Sequence, residues 1–417
     1  MTNSRAIPPD RNIKEPTIST LAVTNSPYDF SAMHAAIQRY VDDNILAGAS
    51  SVVLKSNHIV DFHTWGHADI EHKQPIAEDT IFRIYSNTKI VTSVAAMCLY
   101  EDGRFQLDDP IETYLPQLAN RVVLRENAES VDDVEPAASS PTVRQVMCHN
   151  AGFSYGFLQE SKVDALYNAT NIMAPDSSLS DMIDKLEGIP LAYQPGRRWQ
   201  YSVSTDVLAR LVEVWSGQRF DEFLKARIFG PLGMPDTDFF VPDANKARVA
   251  TNYAPVNPLD PMQGGLNVAP DMHQGRALQQ GGFMSGGGGL VSTLPDYTRF
   301  IRMLVGEGTF DGVTVLQPET VALMHTNQLP AGLGVQLPNW VMPDTVFGLG
   351  LAIKTAPREG EPEAAIGEFH WGGMAGTHSW ISPGGDLAGL IFTQRLPGFW
   401  HPFSHDFKRL VYAAAAG

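Results

Sequence analysis

Ser86 and Lys89 stand three positions apart in Ser86-Asn87-Thr88-Lys89, a spacing that puts a hydroxyl and an amine on one face of a helix. Such a pair suits acyl transfer: the amine draws off the hydroxyl proton and the oxygen attacks an acyl carbon. Residues 80–85 alternate as a short strand does, while Ile90, Val91, Val94, Ala95, Cys98 and Leu99 recur at helical spacing. The pattern predicts a helix over 86–101, stopped by Gly103. Unpaired N–H groups in its first turn would favour negative charge on the serine oxygen. The same four residues also fit an N-cap serine followed by a solvated lysine, so the elements around them have to decide.

The chain has 417 residues, 43% of them hydrophobic, enough for one large core or two moderate ones. With 30 Lys and Arg against 46 Asp and Glu, the formal charge of -16 disfavours nucleic acid and anionic membranes as partners. No apolar run follows the basic residue of the first ten positions, and no later stretch is long and apolar enough to span a bilayer. Cys98 and Cys148 each sit among apolar neighbours in a helical pattern, as buried thiols do in a reducing compartment. A cytoplasmic protein is the expectation.

Residues 1–25 are polar and Pro-bearing and read as a surface arm. A helix over 31–41 follows, then β-rich runs at 49–55 and 59–65 separated by Ser56-Asn57-His58, the pattern of a hairpin. Helical periodicity dominates 86–280, clearest at 142–148, 179–187, 204–215 and 220–228, with Pro- and Asp-rich loops at 128–141 and 241–275. After Gly281 come Gly-rich turns, a helix over 294–305 capped by Thr293, and strands at 380–382 and 388–394. Strands at both chain ends imply an α+β fold: an antiparallel sheet domain from 26–85 and 281–417, flanked by helices, with a mostly helical domain over 86–280 inserted.

The ordered set of motifs resembles the serine β-lactamase and penicillin-binding-protein superfamily, most closely its class C-like esterase branch, the family VIII carboxylesterases. Beyond the Ser-x-x-Lys motif, the resemblance rests on residues 142–153, on Pro195-Gly196 with Trp199-Gln200-Tyr201-Ser202, on residues 228–234 with Thr237, on residues 288–293 and on Trp371-Gly372-Gly373. It implies a β-lactamase/transpeptidase-like fold with Ser86, Lys89 and Tyr201 as catalytic residues, Tyr201 being the counterpart of the tyrosine in Tyr-x-Asn. A phenol titrates near pH ~10 and needs a nearby cation to act as a base at neutral pH, a part that Lys89 could play. Two departures bear on substrate: Val203 replaces the motif's asparagine, and Trp371 replaces the lysine of Lys-Thr-Gly. An indole stacks on an acyl or alcohol group but cannot pair with a carboxylate, which favours a neutral ester over a peptide. The resemblance also implies that Gly372 and Gly373 let the strand approach the substrate. The N–H groups of Ser86 and Met374 would form the oxyanion hole, with Gly373 the second donor if the register begins at His370.

Competing motifs are present. Gly152-Phe153-Ser154-Tyr155-Gly156 fits the nucleophile elbow of an α/β-hydrolase, but it follows a helical run where an elbow needs a strand. Lys354-Thr355-Ala356 lacks the glycine of Lys-Thr-Gly and reads as ordinary strand sequence, and Gly286 to Gly289 reads as a tight turn. His63 with His67, and His401 with His405, would share a metal only on helices, which their sequence surroundings argue against. The expected activity is therefore hydrolysis of short neutral esters through an acyl-enzyme, with weak β-lactam opening possible and no metal or organic cofactor. A β-lactamase or D-amino-acid peptidase, an acyltransferase, a non-catalytic binding protein and an α/β-hydrolase using Ser154 are the alternatives.

Overall fold

The computed structural model describes residues 21–24, 26–270, 274–337 and 340–416. Its sheet has eight strands: β1 (Gly48–Lys55), β2 (His58–Asp69), β3 (Gln74–Pro75), β4 (Thr345–Phe347), β5 (Ala352–Lys354), β6 (Phe369–Gly372), β7 (His378–Ser382) and β8 (Leu387–Phe392). Their order is β4-β5-β6-β7-β8-β1-β2-β3, so the two chain ends meet at the β8–β1 pair, where Ser50 faces Phe392 and Leu54 faces Ala388. Every neighbouring pair is antiparallel. The hairpin read at residues 49–65 is β1 and β2, joined by Ser56 and Asn57 at positive φ.

Side chains alternate across a strand, and the sheet is buried on both faces. On the back, Val53 and Trp380 pack with Met33 and Ile37 of α1 (Ser31–Asp42) and with Phe403, Phe407 and Val411 of a C-terminal helix, Pro402–Ala416. On the front, Val52, Trp371 and Phe392 join one continuous core with Val94 of α2 (Thr88–Glu101), Leu208 of α3 (Ser204–Ser216) and Phe300 of α4 (Leu294–Val305). Each residue of α2 from Thr88 to Leu99 is buried, as befits the central helix of the lobe. The helices read at 179–187 and 294–305 keep both of their ends. Thr142 and Ser178 form capping boxes, the Thr293 side chain accepts from Asp296 N–H, and Gly217 closes α3 at φ 69°.

Two expectations are corrected, and one element was missed. The helix predicted from Ser86 begins at Thr88, because Tyr85–Asn87 form a tighter 3₁₀ turn. Asn87 anchors that turn: its side chain donates to Thr377 O and accepts from Ser379 Oγ, and its carbonyl accepts from Tyr297. The helix expected over 220–228 ends at Leu224 and continues as a π turn, Lys225–Phe229. The C-terminal helix, here α5, was not anticipated at all. Of the expected arm, residues 1–20 and 25 lie outside the described residues; Thr24 is tied through N and Oγ1 to Ile59 O. No helix among the described residues is long and apolar enough to cross a membrane. Cys98 and Cys148 are free and buried, and burial pushes both thiols up to about 12, leaving them unreactive.

Candidate active site

The chain reaches Ser86 along a short strand, Ile81–Arg83, which pairs with Val291–Thr293 and fixes the approach. Tyr85 then takes φ 44°, a left-handed conformation that costs a bulky residue about 1–3 kcal/mol and turns the chain sharply between strand and helix. Tyr85 Oη is held by Asn252 Nδ2 at 3.0 Å. Ser86 follows on the outside of the turn and is part-exposed.

Ser86 Oγ accepts from Tyr201 Oη at 2.7 Å and from Lys89 Nζ at 3.4 Å. Lys89, one turn down α2, is 1% exposed. Its other acceptors are neutral: Gly287 O at 2.6 Å and Tyr155 Oη at 3.2 Å. The ammonium also lies 4.5 Å from the centre of the Tyr201 ring, a cation–π distance. The nearest carboxylate of the network is one group removed. Asp206, fully buried on α3, accepts from Ser285 Oγ at 2.5 Å and Gly287 N at 3.1 Å, and takes a long contact from Tyr155 Oη at 3.4 Å.

Tyr201 is placed from both sides. Gly196 at φ 82° turns the chain back so that its N–H reaches Asn150 O, and Gln200 N then donates to His149 O. The ring of His149 lies 5.0 Å from that of Tyr201. Burial first, and the charge of Lys89 second, hold this imidazole well below 6.5, so it is neutral. From the sheet, Trp371 Nε1 donates to Tyr201 Oη at 3.3 Å. Trp371 is only 2% exposed, so its contact with the site runs through the phenol rather than through an open indole face. Val203, at the asparagine position of Tyr-x-Asn, is fully buried at the start of α3.

The turn after β6 meets the serine turn edge to edge. A Cβ on Gly373 would stand 2.4 Å from Ile84 O, so only glycine permits this approach. Gly373 N–H is taken by Thr377 O at 2.6 Å, whereas Met374 N–H has no acceptor among the described residues. That favours Met374 over Gly373 as a donor available to a ligand. Gly372 lies on β6, opposite His378.

The competing motifs fall elsewhere. Ser154 is fully buried, donates to Asp164 Oδ1 at 2.5 Å and accepts from Gln200 Nε2 at 2.6 Å, and it follows the helix Val143–Met147 rather than a strand. Its hydroxyl is a strut between loop and cleft wall. Lys354 ends β5 and is paired with Glu361 and Glu368 behind the sheet. His63 lies on β2, stacked on His34 at 4.2 Å. His405 is on α5, contrary to the expectation that its segment is not helical; it receives Arg358 Nη1, while His401 contacts Pro261 O at 2.8 Å.

Sequence reasoning missed Tyr155, Asp206 and Gly287. The signal for Gly287 was the glycine run itself: a Cβ there would lie 2.6 Å from Asp206 Oδ2 and 2.8 Å from Tyr155 Oη. Tyr155 stood inside the false elbow, and Asp206 was hidden as one more residue in the first turn of α3.

The arrangement is one hydroxyl on a cleft edge with a phenol and a buried ammonium on its oxygen, next to a glycine turn whose Met374 N–H has no acceptor among the described residues. It is equipped to form an oxyanion and to pass a proton. A Beta-lactamase family model matches residues 33–413. Protein Rv1367c of Mycobacterium tuberculosis is 35% identical over 373 residues, 87% of this chain and 89% of that one. Esterase EstB of Burkholderia gladioli is 29% identical over 415 residues, covering 95% and 100%. Among solved structures, "EstCE1, a hydrolase with promiscuous acyltransferase activity" superposes with a TM-score of 0.76 at 23% identity, covering 92% and 98%. The chain belongs to the beta-lactamase family, as its motifs had implied.

Proposed function

We propose that this protein is a serine esterase that hydrolyses short, neutral carboxylic esters through an acyl-enzyme on Ser86. The observation that carries the reading is the convergence of Tyr201 Oη at 2.7 Å and Lys89 Nζ at 3.4 Å on one serine oxygen. With its own proton released to solvent, Tyr201 as a phenolate would take the serine proton as Oγ attacks the ester carbon and return it to the leaving alkoxide. Lys89 would stabilise that phenolate before it takes the proton and after it gives the proton up. The N–H groups of Ser86 and Met374 would hold the tetrahedral oxyanion, and a water activated by the same pair would release the acid. The Trp371 indole N–H on Tyr201 Oη would hold the phenol in line. With no cationic side chain replacing the lysine of Lys-Thr-Gly at that position, substrates bearing a carboxylate are disfavoured. Esterase EstB, the relative aligned across nearly the whole chain, supports an ester as substrate. The buried free thiols agree with a cytoplasmic setting.

Acyl transfer to an alcohol is the second reading, favoured by the likeness to EstCE1, a hydrolase with promiscuous acyltransferase activity. It uses the same acyl-enzyme and differs only in what attacks it. The test is labelling with a fluorophosphonate, peptide mapping, and hydrolysis of p-nitrophenyl butyrate with and without a primary alcohol. A single adduct on Ser86, lost with hydrolysis in Ser86→Ala, is expected. An adduct on another serine, or none, would defeat the proposal. A transesterified product that dominates over the acid would move it to the second reading.

A further inference from the structure

Behind β6, on the side of the sheet away from Ser86, a small cavity of about 40 Å³ opens between the sheet and α5. Three permanent cations and three histidines line it: Lys354, Arg358, His370, His378, His405 and Lys408. No Asp or Glu is among its lining residues, in a chain whose formal charge is -16. Two of the cations are neutralised from beneath. Lys408 Nζ lies 2.7 Å from Glu368 Oε1 and 3.6 Å from Glu361 Oε1, and Lys354 contacts the same two carboxylates. Arg358 has no such partner: its guanidinium makes no ion pair among the described residues and donates to His405 Nδ1 at 3.2 Å. The His370 ring makes no hydrogen bond among the described residues, and the ring of His378 has only a long contact to Gly398 O at 3.4 Å.

The local field has a definite sign. Burial is the main reason that His378 falls to about 3 and His405 to about 4, and that His370 lies well below 6.5. Lys408 pushes each of them further down, and Lys354 and Arg358 add to this at His370 and His405. Each histidine is therefore a neutral imidazole with a single N–H: His378 turns Nε2 to Gly398 O, His405 accepts from Arg358 at Nδ1 and so carries its proton on Nε2, and His370 makes no hydrogen bond among the described residues. A cavity of this size holds a few waters or one small polyatomic ion, since a water needs about 10–15 Å³ on the same measure. A planar fork of N–H donors beside imidazole edges is the donor set that binds oxyanions.

We propose that this cavity is a binding site for one small oxyanion of the phosphate or carboxylate type, held by Arg358 with His370, His378 and His405. Trp371 lies between this cavity and the Ser86 cleft, lining the one and donating to Tyr201 Oη in the other, but the proposal does not depend on the esterase reading.

The test is isothermal titration of the full chain at fixed ionic strength, with inorganic phosphate in one series and acetate in another. Saturable one-site binding is expected from at least one. Arg358→Gln should weaken it about tenfold, the worth of one charge-assisted contact pair, while ester hydrolysis confirms that this variant is folded. His405→Gln supplies a second variant from another element and should weaken binding in the same direction. Ser86→Ala should bind as the parent does. Tighter phosphate binding would assign a tetrahedral oxyanion, and tighter acetate binding a carboxylate. No saturable binding of either anion, affinity unchanged in both Arg358→Gln and His405→Gln, or affinity lost in Ser86→Ala would overturn the proposal.

Discussion

Two lysines lie buried on opposite sides of β6, and they are used in opposite ways. Lys408, behind the strand, is 7% exposed and sits on the carboxylates of Glu368 and Glu361. Lys89, in front of it, is 1% exposed and is ringed by a carbonyl, a phenol and a hydroxyl. A charge met by a fixed counter-charge spends its field on holding the structure, here α5 against the sheet. A charge met by neutral groups keeps its field for whichever of them turns anionic, and on this side those are the oxygens of Ser86 and Tyr201. Burial alone does not mark a reactive lysine; the ionisation state of its partners does.

The front side should break in rate and the back side in stability. Tyr201→Phe removes the hydroxyl closest to Ser86 Oγ and should lower kcat about a thousandfold with little change in melting temperature, read by steady-state kinetics beside a thermal melt. An equal loss of stability would erase the distinction between the two faces.

Lys408→Met should instead cost about 3–5 kcal/mol in urea unfolding and leave kcat near that of the parent, because it strands buried carboxylates. The same variant should invert the acid limb. In the parent, burial works to raise the Glu368 carboxyl, but Lys408 and Lys354 overcome it and hold the group below its ordinary 4.5. A folded pKa below the unfolded one gives stability that is present above pH ~4.5 and lost as the pH falls through the lower, folded value. Without Lys408, burial gains the upper hand and this contribution should shrink or change sign, which unfolding curves at pH 7 and pH 4 will read.

Ser154→Ala should cost about 1–3 kcal/mol, by leaving Asp164 and Gln200 short of a partner, while fluorophosphonate labelling persists. Trp371→Phe, the smallest change, deletes one N–H on Tyr201 Oη and should lower kcat about tenfold or less with KM nearly constant.

Local signals in the sequence were dependable where local forces decide. The bounds read for Leu179–Glu187 and Leu294–Val305 are those of the structure, because Ser178 and Thr293 cap helices whose apolar faces recur regularly. The C-terminal helix carried a comparable signal in Phe403, Phe407 and Val411, four apart, behind a proline that suits a first helical position. Setting the segment of His401 and His405 aside as non-helical obscured it. Ser86, Lys89 and Tyr201 were legible because a resemblance tied together positions that the chain keeps 115 residues apart from serine to tyrosine. Tyr155, Asp206 and Gly287 were not, since what brings them to Lys89 is the packing of α3 and a glycine turn against α2, and no periodicity encodes the meeting of a loop, a helix and a turn.

The seam between β8 and β1 has a consequence for how the molecule is made. Thr393 Oγ1 reaches Gly48 O across 345 positions of chain, and the β1 edge on that side has no partner until β8 has been synthesised. The first hairpin must wait on the ribosome with an open, apolar edge while the whole helical lobe emerges, the circumstance in which nascent chains pair with one another. Trp371 and Met374 arrive in the same last stretch. A chain that stalls or is cut short should then be inert and sticky together, so catalytic competence is acquired only once the edge is covered.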